Sequence, residues 1–124
     1  MASYLDDYVL DNGLTVLDTE ANALVICSQL PADYTGANTT YKLGTKTTPA
    51  VTLGNGATSG RKAAVAQITD GSVSATGTAT HWALIDTANS RLLAASTLSA
   101  SQSVTSGNTF TLPAFDAVTL PDPA

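Results

Sequence analysis

From Arg61 to Leu120 the chain alternates short stretches of Val, Ala, Ile, Leu and Thr with turn-forming clusters. The period is two, as half-buried strands require. KAAVAQI (62–68), VSATGTAT (73–80), THWALID (80–86), RLLAASTL (91–98), SQSVTSG (101–107), TFTLPAF (109–115) and DAVTL (116–120) read as successive strands. Thr69-Asp70-Gly71, Ala88-Asn89-Ser90 and Ser106-Gly107-Asn108 read as turns between them, with glycine supplying positive φ where one is needed. Short strands at this spacing predict a sandwich or barrel. Pro113 cannot donate to a ladder and predicts an edge or bulge.

The N-terminal third follows a different period. Leu10, Leu14, Leu17, Ala21 and Leu24 fall on one helical stripe, so residues 3–21 read as helical. Ser3 and Asp6 have capping-box spacing, and Asp7 suits the positive end of a helix. Asn12-Gly13 interrupts the stripe, which leaves one helix or a broken pair. LVICSQL (24–30) is β-branched and apolar and reads as a strand closed by Pro31. Residues 32–60, rich in Gly, Thr and Asn, read as a long loop or arm with edge strands near 39–43 and 51–53. The expectation is one domain over 1–124, mainly β. It comprises a helical segment (1–23), a strand plus long loop or arm (24–60) and a β-meander (61–120), folded as an antiparallel sandwich, Ig-like or jelly-roll-like.

Within that fold the core anchors are Trp82, Leu84, Phe110, Leu112 and Phe115. His81 adjoins Trp82 on a strand, so the two side chains point to opposite faces. With Trp82 inside, His81 faces solvent or a partner. Tyr34 and Tyr41, in the loop, are the other interface candidates.

Composition narrows the functional classes. Charged residues are 12% of the chain, about half the usual share, with Ser and Thr in their place. Such a surface belongs either to a plain Thr-rich β-domain or to one partly hidden in an assembly. A net charge of −5 with one adjacent basic pair, Arg61-Lys62, argues against nucleic acid. No run approaches the length of a membrane span, and the N-terminal acidic pair is unlike a signal peptide.

Chemistry is sparse. The single histidine and single cysteine lie far apart in sequence without metal-ligand spacing, so no metal or cofactor is expected. Cys27 reads as a buried thiol. GNGATSGRK (54–62) superficially resembles a phosphate loop, but Ser59 and Ala63 stand where the dinucleotide and Walker patterns need Gly and Ser/Thr. Asp86 and Arg91 flank a turn and are placed to pair across it. No catalytic residue is assigned, and an enzyme is not expected.

The order of LVICS, a Gly/Thr-rich stretch leading to SGRK, and the phrase G-x-A-T-H-W-A-L-x-D … S-R-L-L-A … L-S … V-x-S-G-N-T within 68–115 resembles small virion proteins of tailed bacteriophages. The resemblance spans about residues 20–120. It implies a structural component of the virion, assembled in the host cytoplasm: a capsid decoration (cement) protein, or else a tail, baseplate or fibre-adaptor subunit. Its implied partners are the major capsid protein, other virion proteins and copies of itself, with a trimer implied by resemblance alone. A carbohydrate-binding or adhesion module is the third reading, with Tyr34 and Tyr41 as its aromatics.

Overall fold

A computed structural model describes residues 7–56 and 60–120. It is a mainly β fold of two antiparallel sheets and one short helix, sandwich-like in its packing. The elements in chain order are α1 (Asp7–Thr19), β1 (Ala23–Cys27), a single π-helical turn (Gly36–Thr40), β2 (Lys42–Thr47), β3 (Val51–Asn55), β4 (Arg61–Val65), β5 (Ile68–Val73), β6 (Gly77–Asp86), β7 (Arg91–Val104), β8 (Thr109–Leu112) and β9 (Phe115–Leu120). Six strands form one sheet in the order β7-β6-β1-β2-β5-β8, and three form the other in the order β3-β4-β9. The chain passes between the sheets three times, at residues 48–50, 66–67 and 113–114. Pro49 and Pro113 lie in two of these crossings, where no ladder donor is needed.

The helix runs unbroken through Gly13, and the Ser3–Asp6 cap lies outside the described residues. Leu14 and Leu17 are buried and hold α1 against β3 and β4. Ala21 is buried beyond the end of the helix, and Leu24 belongs to β1, so the stripe expected on one helix is shared between helix and strand. Asn22 locks this junction. Its carbonyl accepts from the Thr48 amide at 2.9 Å and its amide donates to the Ile85 carbonyl at 3.1 Å. Its side chain accepts from the Thr87 amide at 3.0 Å and donates to Thr87 Oγ1 at 2.8 Å.

Residues 32–56 are not one long loop or arm, although an edge strand does lie near 51–53 as expected. They supply β2, an interior strand of the six-stranded sheet, and β3, an edge of the smaller one. Their Thr and Gly content hides the pattern, because interior positions here are filled by Leu43 and Gly44 rather than by a run of bulky residues. Two further boundaries move. β7 is one strand of 14 residues where two were expected. Thr69-Asp70-Gly71 lies inside β5, at an irregularity between Ile68 and Gly71 in the pairing with β8, and makes no hairpin turn.

Gly71 is there for a close approach. A Cβ on it would overlap the Phe110 ring, and a Cβ on Gly44 would sit 3.1 Å from the same ring and 2.7 Å from the Ser72 carbonyl oxygen. Phe110, 2% exposed, thus lies directly on the backbone of β2 and β5. Around it the main core gathers Leu24, Ile26, Leu43, Val73, Trp82, Leu84, Leu98, Val104 and Leu112 from the large sheet. Val51, Ala63 and Val65 come from the small sheet, and Leu14 and Leu17 from α1. Phe115 is half-buried against this core, its ring centroid 4.9 Å from that of Trp82.

Two glycine substitutions separate the close approach from mere strand propensity. Gly71→Ala overpacks the Phe110 seat and is expected to lower unfolding free energy by about 1–3 kcal/mol. Gly54→Ala, on β3 with nothing within 4 Å of its added Cβ, is expected to change it by at most about 0.5 kcal/mol. Urea denaturation of the two variants gives both numbers.

Candidate interaction surfaces

The large sheet is buried on both faces at its centre. Trp82, Leu84, Leu24 and Ile26 point into the main core. The alternate residues Ala23, Val25, Cys27, Ala83 and Ile85 form a second apolar cluster on the opposite face. The segment after β1 folds back over that cluster. Ala37 from the π-helical turn is fully buried in it, and Tyr34 and Tyr41 pack against its margin, half-exposed. The turn is held by the Asp33 carboxylate, which accepts from the Gly36 amide at 2.7 Å, and by Asn38 Nδ2, which donates to the Tyr34 hydroxyl at 3.1 Å.

His81 lies on the same outer face. Its backbone is in register with Cys27 on one side and Thr97 on the other, and Cys27 is in register with Lys42. A row of Lys42, Cys27, His81 and Thr97 therefore crosses four strands. The His81 ring is half-exposed, with Nδ1 2.8 Å from Thr80 Oγ1 and Nε2 3.5 Å from Thr97 Oγ1. The structure thus places Tyr34, Tyr41 and His81 on one face of one sheet, their rings engaged with local partners.

Cys27 is fully buried between these groups, and its thiol faces the Ala37 carbonyl at 3.8 Å. Burial pushes the thiol pKa up to about 11. The thiolate is the reactive form, so this is an inert cysteine. Among the described residues no group of three or more His, Cys, Asp or Glu is placed to hold a metal ion. No described helix is long and apolar enough to cross a membrane.

Asp86 and Arg91 are cross-strand partners, but no salt bridge joins them among the described residues. Arg91 Nη1 instead reaches Glu20 at 3.4 Å. The Asp86 side chain turns onto the 87–90 turn, accepting from the Ala88 and Asn89 amides at 3.0 and 3.3 Å and from Asn89 Nδ2 at 2.8 Å. This Asp is 2% exposed, and its donors replace the water it loses. Asn89 above all, then the turn amides and the Arg91 charge, hold its carboxyl below the ordinary value of 3.8, with burial working against them. The turn closes at Ser90, which takes a φ of 54°.

A second surface was not foreseen from the sequence. Between Ala79↔Gln102 and His81↔Thr97 the β6–β7 register skips, so residues 98–101 bulge from the sheet opposite Thr80. One wall of a cleft of about 280 Å³ is this bulge, and the other is the crossing from β8 to β9. Trp82, Leu98, Leu112, Pro113 and Phe115 make it apolar, while Ser96, Ser99, Gln102 and Asp116 make its rim polar. Asp116 is paired with Lys62 at 3.2 Å. The cleft joins strands far apart in sequence, and only the bulge opens it, so no local pattern announces it.

No protein-family model matches the chain, and neither a curated protein nor a solved structure matches it.

Native Cys27 is expected to resist Ellman's reagent at pH 8 and to react fully once the protein is unfolded in guanidinium. Rapid labelling of the native protein would contradict its burial. Asp86 gives a pH prediction. Its folded pKa is depressed, so the stability it adds is present above about pH 3.8 and is lost as pH falls through the folded value. Asp86→Asn should lower the melting temperature at pH 7, and the gap to the unsubstituted protein should close at acid pH. A gap that stays constant from pH 7 to pH 2 would contradict the assignment.

Proposed function

We propose that this chain is a structural component of a tailed-bacteriophage particle, a capsid decoration protein that binds the head surface and stabilises it. The resemblance of residues 68–115 to virion proteins carries the reading. The character of the free sheet edge supports it. β7 is 14 residues long and carries one charge, Arg91, at its start. Edge strands that remain in solvent are ordinarily guarded by charges, proline or bulges, because unpaired N–H and C=O groups invite other chains. Beyond Arg91, the bulge at 98–101 is the one such guard along β7. An edge this plain suits a surface that another protein covers, since few charges need to be desolvated there.

The partners in this reading are the major capsid protein, neighbouring virion proteins and further copies of the chain. Beyond Arg91, β7 brings no charge to this edge, so shape and apolar contact carry the docking there. Its affinity should then depend little on ionic strength, unlike that of a complex steered by charge. The described ion pairs, Lys46–Asp70, Lys62–Asp116 and Arg91–Glu20, are already satisfied within the chain.

Quantitative labelling of intact particles with an antibody to this chain tests the assignment. Hundreds of copies per particle, released by washing only under conditions that weaken the head, are the expected result. A dozen copies or fewer would move the protein to the tail, baseplate or fibre. Particles that carry none of it would remove the virion reading.

A further inference from the structure

The cleft between the β7 bulge and the β8–β9 crossing has a volume of about 280 Å³ and two kinds of lining. Its base is apolar. Trp82 lies there, 4% exposed, and Phe115 stands half-exposed against it with ring centroids 4.9 Å apart. The two rings back one another and leave no slot between them. Pro113, exposed in the crossing, extends Phe115 into a short apolar shelf. The rim is polar. Ser96 and Ser99 bring hydroxyls to it, and Gln102 brings an amide. Gln102 Nε2 donates to the Thr111 carbonyl at 2.7 Å, which fixes the amide and leaves Oε1 to accept.

Charge narrows what this lining can hold. Lys62 Nζ lies 3.2 Å from Asp116 Oδ1 and 3.3 Å from Oδ2. A carboxylate accepts and an ammonium donates, so the pair sets an acceptor beside a donor at the mouth of the cleft. Two neighbouring hydroxyls on a ring, each able to give and to take a hydrogen bond, complement that pair. A charged ligand has no free partner here, because the pair is neutral as a unit and the β7 wall is uncharged. A wholly apolar ligand would strip water from the rim without replacing its bonds. An apolar base with a few polar groups that fix orientation is the usual build of a small-ligand site.

We propose that the cleft binds a neutral saccharide ring. The C–H face of the ring lies on Phe115 and Pro113, and its hydroxyls meet the Asp116–Lys62 pair and the Gln102 amide. The volume admits one such ring, since a cavity of about 150 Å³ already accepts benzene and a pyranose with its hydroxyls is larger. Tyr34 and Tyr41 are not part of this site, because they pack against the second apolar cluster on the other face of the sheet. The site is also separate from the head-docking reading. That reading uses the plain stretch of β7, whereas the cleft opens at the bulge that interrupts it.

Titration of the purified chain with the methyl glycosides of glucose, galactose and mannose, and with N-acetylglucosamine, tests it. Trp82 is the single tryptophan, so its fluorescence reports the cleft directly. A ring of about twelve heavy atoms held at ordinary ligand efficiency gives a dissociation constant of about 1–10 mM. At least one of the four sugars is expected to change the emission in that range. Amide signals in nitrogen-15 NMR spectra should then shift at 96–102 and 113–117. Asp116→Ala removes the acceptor, and Ala100→Phe fills the cleft. Both positions are exposed, so the fold is kept, and each should weaken binding at least tenfold. Spectra of the unsubstituted chain that none of the sugars alters, well above the expected range, overturn the proposal. So do shifts that gather at Tyr34 and Tyr41 instead, or an Asp116→Ala protein that binds as tightly as the original. Absence of the chain from particles would remove the virion reading and leave this one standing.

Discussion

The fold depends on one connection. β7 and β8 are the two outer strands of a six-stranded sheet, yet only residues 105–108 lie between them. In a flat sheet the outer strands of six would stand about 24 Å apart at a spacing of about 4.8 Å. Five chain steps reach about 18 Å at most. The sheet must therefore curl until its edges meet at one end. There Gln102 Nε2 on β7 donates to the Thr111 carbonyl on β8 at 2.7 Å. The connecting turn is bonded to the β5–β6 link, through Gly107 to Val73 and Ser106 to Thr76. Phe110 lying on Gly44 and Gly71 belongs to the same curvature, since the absent Cβ atoms let β8 fold tightly over β2 and β5.

Curling has a consequence for interaction. At one end the edges satisfy each other, but along most of β7 they do not. The strand gives up its pairing with β6 at residues 98–101, and the cleft opens under that bulge. Meanwhile the outer face of the same sheet, which would otherwise be an exposed apolar surface, is covered by the segment carrying Tyr34, Ala37 and Tyr41. Among the described residues, exposed apolar character is therefore found at Leu30 and the cleft rather than spread over that face. Bulges and edges are where sheets redirect side chains toward partners.

The period-two pattern located most of the strands and the face assignment of β6: Trp82 and Leu84 inward, His81 outward. That much is local, because alternation follows from backbone geometry alone. Other features were not legible, for identifiable reasons. Asp70-Gly71 has hairpin chemistry, but Gly71 answers to a phenylalanine nearly forty residues away. The 32–60 stretch reads as a loop because its buried large residues, Leu43 and Val51, stand singly among Gly, Thr and Asn, with small residues such as Ala37 and Gly44 filling other buried positions. Asp86 and Arg91 are correctly opposed in register, yet the carboxylate prefers three donors in its own turn to one cation across the strand.

By itself the sequence determined a mainly β chain with a helical N-terminal segment, a low share of charged residues, a buried Trp82 and a buried cysteine. These follow from composition and from side-chain periodicity, which each residue carries wherever it is placed. Tertiary structure alone decided the strand order, the curl of the large sheet, the two-sided burial of β1 and β6, and the cleft beneath β7. Those depend on which distant residues meet. The meeting is settled by chain length between strands and by the few positions where the backbone can approach an aromatic ring without a Cβ in the way.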